Sequence, residues 1–154
     1  METVEFHGWK FLADVAETRA AYLSDMFKGA EACNCLHCQN LVSQREREYP
    51  LELCNFLESV GVNPLKEAEV WTSGKLEAGF CFNAGWWHFI GEVEERGESE
   101  FPVSKNRGGE SRYWHIKIVP DDTVMKFEGL PDSPIIQIEY YTELPWVLNE
   151  AYPE

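Results

Sequence analysis

The stretch Tyr113-Trp-His-Ile-Lys-Ile-Val119 alternates between apolar and polar side chains along its whole length. The apolar side chains that share one face are Trp114, Ile116 and Ile118. Such alternation is typical of a β-strand that buries one face and exposes the other. The segment 135–141 repeats the pattern, and Ile136, Ile138 and Tyr140 lie on one side of it. Both segments therefore predict strands of one antiparallel sheet.

Further strands are predicted ahead of and between these two. They cover residues 69–72, 78–82, 86–93 and 123–127. The triplet Asn83-Ala84-Gly85 consists of turn-forming residue types, so it predicts a turn that joins two of these strands. Residues 94–111 are polar and rich in glycine and acidic side chains, which favours a long mobile loop.

The residues that precede the sheet show helical spacing instead. Asp14 is the predicted N-cap of a first helix, which extends to about Gly29. A second helix is predicted over residues 36–48, with Asn34 as its N-cap and a solvated distal half. Pro50 opens a third helix, and Gly61 ends it. Residues 1–10 read as a short extended segment or an ordered tail.

This order of elements, helices first and strands afterwards, predicts the α+β class. We expect a single domain over residues 1–154, a length that one hydrophobic core can support. Its N-terminal helices, in a helical half over residues 12–62, are predicted to pack on a C-terminal antiparallel sheet over residues 68–148.

The composition is strongly acidic and restricts the classes of partner. Acidic side chains number 27 against 13 basic ones, for a formal net charge of −14. Nucleic acids and anionic membranes both require a cationic surface, so neither is an expected partner. The chain shows no secretory signal pattern and no apolar run long enough to cross a bilayer. These features predict a soluble protein of the cytoplasm.

One short segment, the knuckle Cys33-Asn-Cys35-Leu-His-Cys38, contains three closely spaced cysteines that are candidate metal ligands. Zinc prefers thiolate ligands, and a Cys-x-x-Cys pair at a turn into a helix supplies two of them. Cys33 adds a third ligand, and Cys54 on the next helix is the predicted fourth. His37 is a weaker candidate because it lies between two of the proposed ligands. The predicted cofactor is therefore zinc in a structural site.

Two other interpretations of the cysteines stay open. Cys35 and Cys38 at a helix N-terminus resemble a redox dithiol, and a thiol enzyme built on them would use His88 as its base. Alternatively, the thiols are small apolar side chains that pack in the core, which is the prediction for Cys81 in its apolar run. Disulfides are not expected, since the predicted compartment is reducing.

The segment Gly85-Trp-Trp-His88-Phe-Ile-Gly91 is the densest aromatic stretch of the chain. Trp86, Trp87 and His88, together with His115 from a later strand, form a candidate ligand cleft. The simpler interpretation is a central strand that packs on both faces, with the His88 imidazole hydrogen-bonded inside the protein.

The charge supports a second class of function. An acidic interaction protein, such as an antitoxin or immunity-type inhibitor, would bind a basic protein through its negative surface. The sequence has no Gly-rich phosphate loop, nucleophile elbow, HExxH motif or EF-hand pattern. The leading prediction is therefore a non-enzymatic domain with a structural zinc knuckle. An acidic interaction protein is the alternative, and a thiol redox enzyme is the third possibility.

Several segments, taken together, resemble a family of short uncharacterised bacterial cytosolic proteins. They are Cys33-x-Cys35-x-x-Cys38-x-Asn40, Gly61-Val-Asn-Pro64, Gly85-Trp-Trp-His88-Phe-Ile-Gly91 and the C-terminal Leu-Pro-Trp-Val-Leu at residues 144–148. The resemblance implies a compact α+β domain with a cysteine knuckle. It implies no activity.

Overall fold

A two-residue turn at His7 and Gly8 folds the start of the chain into a β-hairpin. Its strands are β1, Glu2–Phe6, and β2, Trp9–Ala13. His7 and Gly8 have positive φ angles of 48° and 82°. Tight hairpin turns need this combination, and glycine adopts it without strain. The extended segment predicted for residues 1–10 is thus one half of a hairpin and its turn.

The computed structural model describes residues 1–120 and 133–153. Its helices are α1, Val15–Leu23; α2, Leu36–Glu48; and α3, Leu51–Ser59. The further strands are β3, Glu69–Lys75; β4, Phe80–Glu95; β5, Glu100–Val103; β6, Trp114–Val119; and β7, Ile135–Pro145. Short 3-10 turns occupy Ala30–Ala32 and Glu77–Gly79. No helix in these residues is both long enough and apolar enough to pass through a bilayer.

All strands of the described residues pair in an antiparallel sense, in the order β1-β2-β4-β7-β6-β5, with β3 attached to β4. β4 is the centre of this sheet, because β3 pairs with its start, β2 with its end, and β7 with its other edge. The α+β class and the antiparallel pairing are confirmed. The sheet is not purely C-terminal, however, since β1 and β2 precede the helices and extend it.

The turn predicted at residues 83–85 is wrong, because β4 runs through it without interruption. Gly85 is there for packing: a Cβ atom on it would lie 2.6 Å from the ring of Tyr140 on the neighbouring strand. The side-chain oxygen of Asn83 accepts a hydrogen bond of 2.6 Å from the Tyr140 hydroxyl. The two turn-forming residue types therefore accommodate one buried tyrosine.

The helix predictions were correct in number and partly correct in extent. α2 spans the predicted residues 36–48, although its N-cap is Cys35 in place of Asn34. Asp14 caps α1 as predicted and accepts from a first-turn backbone N–H at 3.0 Å. α1 ends early, at Leu23, because both the backbone N–H and the hydroxyl of Ser24 donate to the carbonyl of Ala21.

Two strand predictions differ from the structure in other ways. β5 lies inside the loop predicted for residues 94–111; Phe101 and Val103 are buried there, and the strand pairs with β6. The strand predicted for residues 123–127 lies outside the described residues. The inner faces of β6 and β7 are buried as predicted.

A cluster of large aromatic rings joins the inner face of the sheet to the helical region. Tyr49, next to α2, has its ring centroid 5.6 Å from each of Trp87, Trp114 and Tyr140. Leu41 of α2 and Leu53 of α3 are fully buried in the same core. These contacts with the inner face of the sheet fix the position of α2. They therefore also fix the position of the cysteine segment at the start of that helix.

Candidate metal centre

The sulfur atoms of Cys33, Cys35 and Cys38 cluster at the start of α2. All three lie within 4.8 Å of one another, and those of Cys33 and Cys35 are 3.2 Å apart. Thiolates on one tetrahedral zinc ion stand about 3.8 Å apart, given the usual zinc–sulfur bond length. The three sulfur atoms are therefore close enough to bind a single metal ion.

Two local backbone features bring these sulfur atoms together. The 3-10 turn Ala30–Ala32 ends at Cys33, whose backbone N–H donates to the carbonyl of Ala30 at 3.1 Å. Cys35 caps α2, and its sulfur accepts from the backbone N–H of Cys38 at 3.4 Å. The cap therefore holds the Cys35 sulfur beside the first turn of the helix, next to Cys38.

The thiols of Cys33 and Cys38 differ in how readily they ionise. Hydrogen bonds from the backbone of Cys35, and then from the side chains of Cys35 and Cys38, lower the pKa of the Cys33 thiol. Burial, and then hydrogen bonds to Cys33 and Cys35, raise the pKa of the Cys38 thiol. Cys33 therefore ionises before Cys38, and Cys38 stabilises that charge as a proton donor.

A buried ion pair holds the turn that leads into Cys33. Arg45 of α2 donates to the two carboxylate oxygens of Glu67 at 2.8 and 2.9 Å, and both side chains are inaccessible to solvent. A second nitrogen of Arg45 donates to Glu31, within the turn, at 2.7 Å. Glu67 also accepts from the backbone N–H of Ala30 at 3.0 Å. The pair thus fixes the first two residues of the turn before Cys33.

A cavity of about 320 Å³ opens next to the cysteine cluster. Cys33 and Cys38 line it, together with Gly29, Glu67 and Val70. Small ligands and water can therefore reach these two cysteines from one side.

The other predicted ligands do not join the cluster. Cys54 is half-buried on α3, where burial raises the pKa of its thiol to about 11, and no further Cys, His, Asp or Glu of the described residues belongs to the sulfur group. Cys81 is buried in β4, as predicted for a core residue. The ring of His37 contacts Trp146 and Tyr152, at centroid distances of 5.9 and 5.1 Å.

The four residues of the candidate ligand cleft do not line a common cleft. Trp87 is fully buried, and its indole N–H donates to the carbonyl of Pro64 at 3.0 Å. His88 is buried as well, with its Nε2 atom 2.7 Å from the side-chain oxygen of Gln137. Trp86 and His115 lie on the face of the sheet opposite to that of Trp87, in two neighbouring grooves.

Sequence reasoning missed the buried polar side of α2. Gln44, Arg45 and Glu48 were expected to be solvated, yet each is only 1% exposed. A signal was present in their spacing, because they follow the core residue Leu41 at helical intervals and so share its face. The prediction of solvent exposure relied on the polar character of these side chains and not on their position along the helix.

Comparisons with known proteins do not assign the chain to a family. No protein-family model matches the chain, and no curated protein or solved structure is significantly similar to it. The resemblance to short bacterial proteins therefore stays a prediction, and function is inferred from the described residues.

Proposed function

We propose that the protein is a non-enzymatic domain in which Cys33, Cys35 and Cys38 bind a structural zinc ion. The observation that carries this proposal is the convergence of three sulfur atoms within 4.8 Å. Thiolates select soft and borderline metals, and among these zinc has no redox chemistry and adapts to closely spaced sulfur ligands.

The surroundings of the cluster support a structural role for the ion. Cys33 precedes α2 and Cys38 lies within it, so an ion bound to both would fix the junction between the turn and the helix. The buried pair of Arg45 and Glu67 already orients this turn. Binding then requires little rearrangement of the backbone, which favours affinity.

A tetrahedral zinc ion needs one ligand more than the cluster supplies. We assign that position to water or another small ligand from the adjacent cavity, which Cys33 and Cys38 line. Cys54 was the fourth ligand expected from the sequence, and substitution of this residue tests the assignment directly.

The proposal is tested by metal analysis of the reduced protein after exposure to zinc and removal of unbound ions. We expect about one zinc ion per chain, a loss of most of it in Cys33→Ser and Cys38→Ser, and retention in Cys54→Ser and Cys81→Ser. Replacement of zinc by Co²⁺ should give a sulfur-to-cobalt charge-transfer band that weakens in Cys35→Ser.

Two results would contradict a zinc site. One is a wild-type zinc content below about a tenth of an ion per chain under these conditions. The other is free reaction of Cys33, Cys35 and Cys38 with a thiol reagent in excess zinc. A zinc content lost in Cys54→Ser would instead identify Cys54 as a ligand and reject the assignment to water.

One observation favours a second function, reversible thiol oxidation. The sulfur atoms of Cys33 and Cys35 are 3.2 Å apart, and the pKa of the Cys33 thiol is lowered by its hydrogen bonds. The Cys33 thiolate would attack oxidised glutathione and release one reduced glutathione; Cys35 would then displace the second and close a disulfide. Mass analysis after equilibration with glutathione buffers detects this pair, and metal-loaded protein should resist it.

A further inference from the structure

The outer face of the sheet, turned away from the Tyr49 side of the core, carries an open groove of about 400 Å³. We call it the outer groove; its lining consists of Phe82, Glu100, Tyr113, His115, Ile116 and Tyr141. Its lining residues come after residue 80 in the sequence, well beyond the cysteine knuckle at residues 33–38. The zinc proposal involves none of them.

The strand register gathers aromatic rings around the outer groove. His115 of β6 is directly opposite Tyr141 of β7, and Phe82 of β4 is opposite Glu143, two residues beyond Tyr141. The ring centroids of Phe82 and Tyr141 are 6.2 Å apart. Trp71 extends the aromatic surface at 5.7 Å from Phe82 and remains 53% exposed. Phe82, Tyr113 and Tyr141 are half-buried, so each shows part of its ring to water beside the exposed Trp71. Contiguous apolar surface of this kind is typical of interaction sites.

The tyrosines of the groove are neutral and electron-rich. The Tyr141 hydroxyl donates to Glu139 at 2.7 Å, and burial together with that carboxylate raises the pKa of the phenol. Burial and the nearby Glu143 carboxylate likewise raise the pKa of Tyr113. Both rings therefore present uncharged π faces at neutral pH, and such faces attract cations.

Carboxylates exceed cations around the groove. Glu100 lines the groove, Glu139 accepts from the Tyr141 hydroxyl, and Glu143 lies opposite Phe82. Two cations, Lys117 and Arg112, pair with Glu100 and Glu143. Lys117 is only loosely paired, with its nitrogen 3.9 Å from Glu100. This excess adds to the net charge of −14 on the whole chain, so the site attracts positive ligands.

The same face already holds one guanidinium group of its own chain. Arg112 stacks on the ring of Phe80, with its central carbon 4.1 Å from the ring centroid. Its Nη1 atom is 3.1 Å from the Glu143 carboxylate. The outer groove next to it offers the same two elements, aromatic faces and a carboxylate, and arginine uses both at once through stacking and directed N–H groups.

We propose that the outer groove binds an arginine side chain of a basic partner protein, with Phe82, Tyr113 and Tyr141 as the aromatic surface and Glu100 as the charged acceptor. Trp71 adds a second aromatic contact beyond the groove, so a partner segment in extended conformation would lie across the strands. A second copy of this chain is a poor occupant, because two surfaces of the same negative sign repel each other.

The test uses the full-length protein and a short labelled peptide with arginine at alternate positions, followed by fluorescence anisotropy. The matched peptide carries citrulline, which keeps the shape of arginine and lacks its charge. We expect the arginine peptide to bind at least about fivefold more tightly, the size of one cation–π contact. Affinity should also fall as salt is added.

Paired variants locate the binding site. Glu100→Gln and Tyr113→Ala should each weaken binding about fivefold. Glu5→Gln removes the same charge from β1, and Leu23→Ala removes an exposed apolar side chain from α1; neither should change affinity. Equal binding of the citrulline peptide, equal effects of Glu100→Gln and Glu5→Gln, or a dimer that excludes the peptide would each overturn the proposal. Zinc content should be unaffected in all of these variants.

Discussion

The side-chain oxygen of Asn40 accepts a hydrogen bond of 2.8 Å from the backbone N–H of Val147. Its amide nitrogen donates to the carbonyl of Pro145 at 3.1 Å, and Gln44, one turn further along α2, donates to the same carbonyl at 2.9 Å. The helix that begins at the cysteine knuckle thus binds the backbone of the C-terminal segment. Trp146, between the two bonded residues, contacts the ring of His37.

Loss of the Asn40 side chain should detach this segment. Asn40→Ala leaves the backbone N–H of Val147 without its acceptor and leaves the Pro145 carbonyl bonded to Gln44 alone, so we expect the free energy of unfolding to fall by about 1–3 kcal/mol. Urea denaturation measures the change. The control is Gln39→Ala, whose side chain bonds the exposed carbonyl of Asn34; an equal loss in both variants would contradict a special role for Asn40.

The buried ion pair gives a second prediction. Arg45→Met leaves the Glu67 carboxylate buried without its cationic partner, and we expect a loss of roughly 3–5 kcal/mol in the free energy of unfolding. The double variant Arg45→Met with Glu67→Met should recover part of it, because no isolated charge remains. Both are measured by chemical denaturation.

Glu31→Gln is the matched control for that pair. It breaks the contact of Arg45 with a side chain that is 63% exposed, so its cost should stay under about 1 kcal/mol. If Glu31→Gln proved as costly as Arg45→Met, the exposed contact rather than the buried pair would hold the turn.

Zinc should stabilise the folded protein in proportion to its occupancy. At a free zinc concentration of about 100 times Kd, we expect the free energy of unfolding to rise by roughly 2.7 kcal/mol, since the ion binds the folded state. A chelator should reverse the gain. Cys38→Ser should show no such gain, whereas Cys81→Ser, which changes a cysteine outside the cluster, should keep it.

The buried imidazole of His88 makes stability depend on pH. Burial lowers the pKa of His88, and this outweighs the opposite effect of its hydrogen bond to Gln137. The unfolded chain therefore takes up a proton here at a higher pH than the folded chain does. The contribution is complete above about pH 6.5, the ordinary value for histidine, and is lost as the pH falls below it.

Urea denaturation between pH 7 and pH 5 tests this dependence. His88→Gln should reduce the slope of stability against pH on the acidic side. An unchanged slope in His88→Gln would assign the acid sensitivity to other groups.

Local sequence patterns correctly predicted those parts of the fold that are set by interactions between residues close together in the sequence. The bounds of α2, the cap at Asp14 and the alternation of β6 and β7 all follow from interactions within a few residues. The cluster of Cys33, Cys35 and Cys38 belongs to the same class, because a turn and a first helical turn suffice to bring these sulfur atoms together.

Predictions failed where a distant residue changes the meaning of a local signal. Asn83 and Gly85 read as a turn, yet they lie in a continuous strand because Tyr140, from β7, occupies the space beside them. The sequence predicts that Arg45 is solvated, yet its side chain is buried and pairs with Glu67, which follows α3 in the sequence. Glu67 is 22 residues from Arg45 in the sequence, and Tyr140 is 57 residues from Asn83.

The acidic charge, the α+β class and the cluster of three sulfur atoms at one turn all follow from local sequence. Three other features depend on the folded chain: Cys54 lies outside the sulfur cluster, Asn40 binds the C-terminal segment, and Phe82, Tyr113 and Tyr141 line one groove. Propensities and caps act over a few residues, whereas strand register brings together side chains that lie dozens of residues apart.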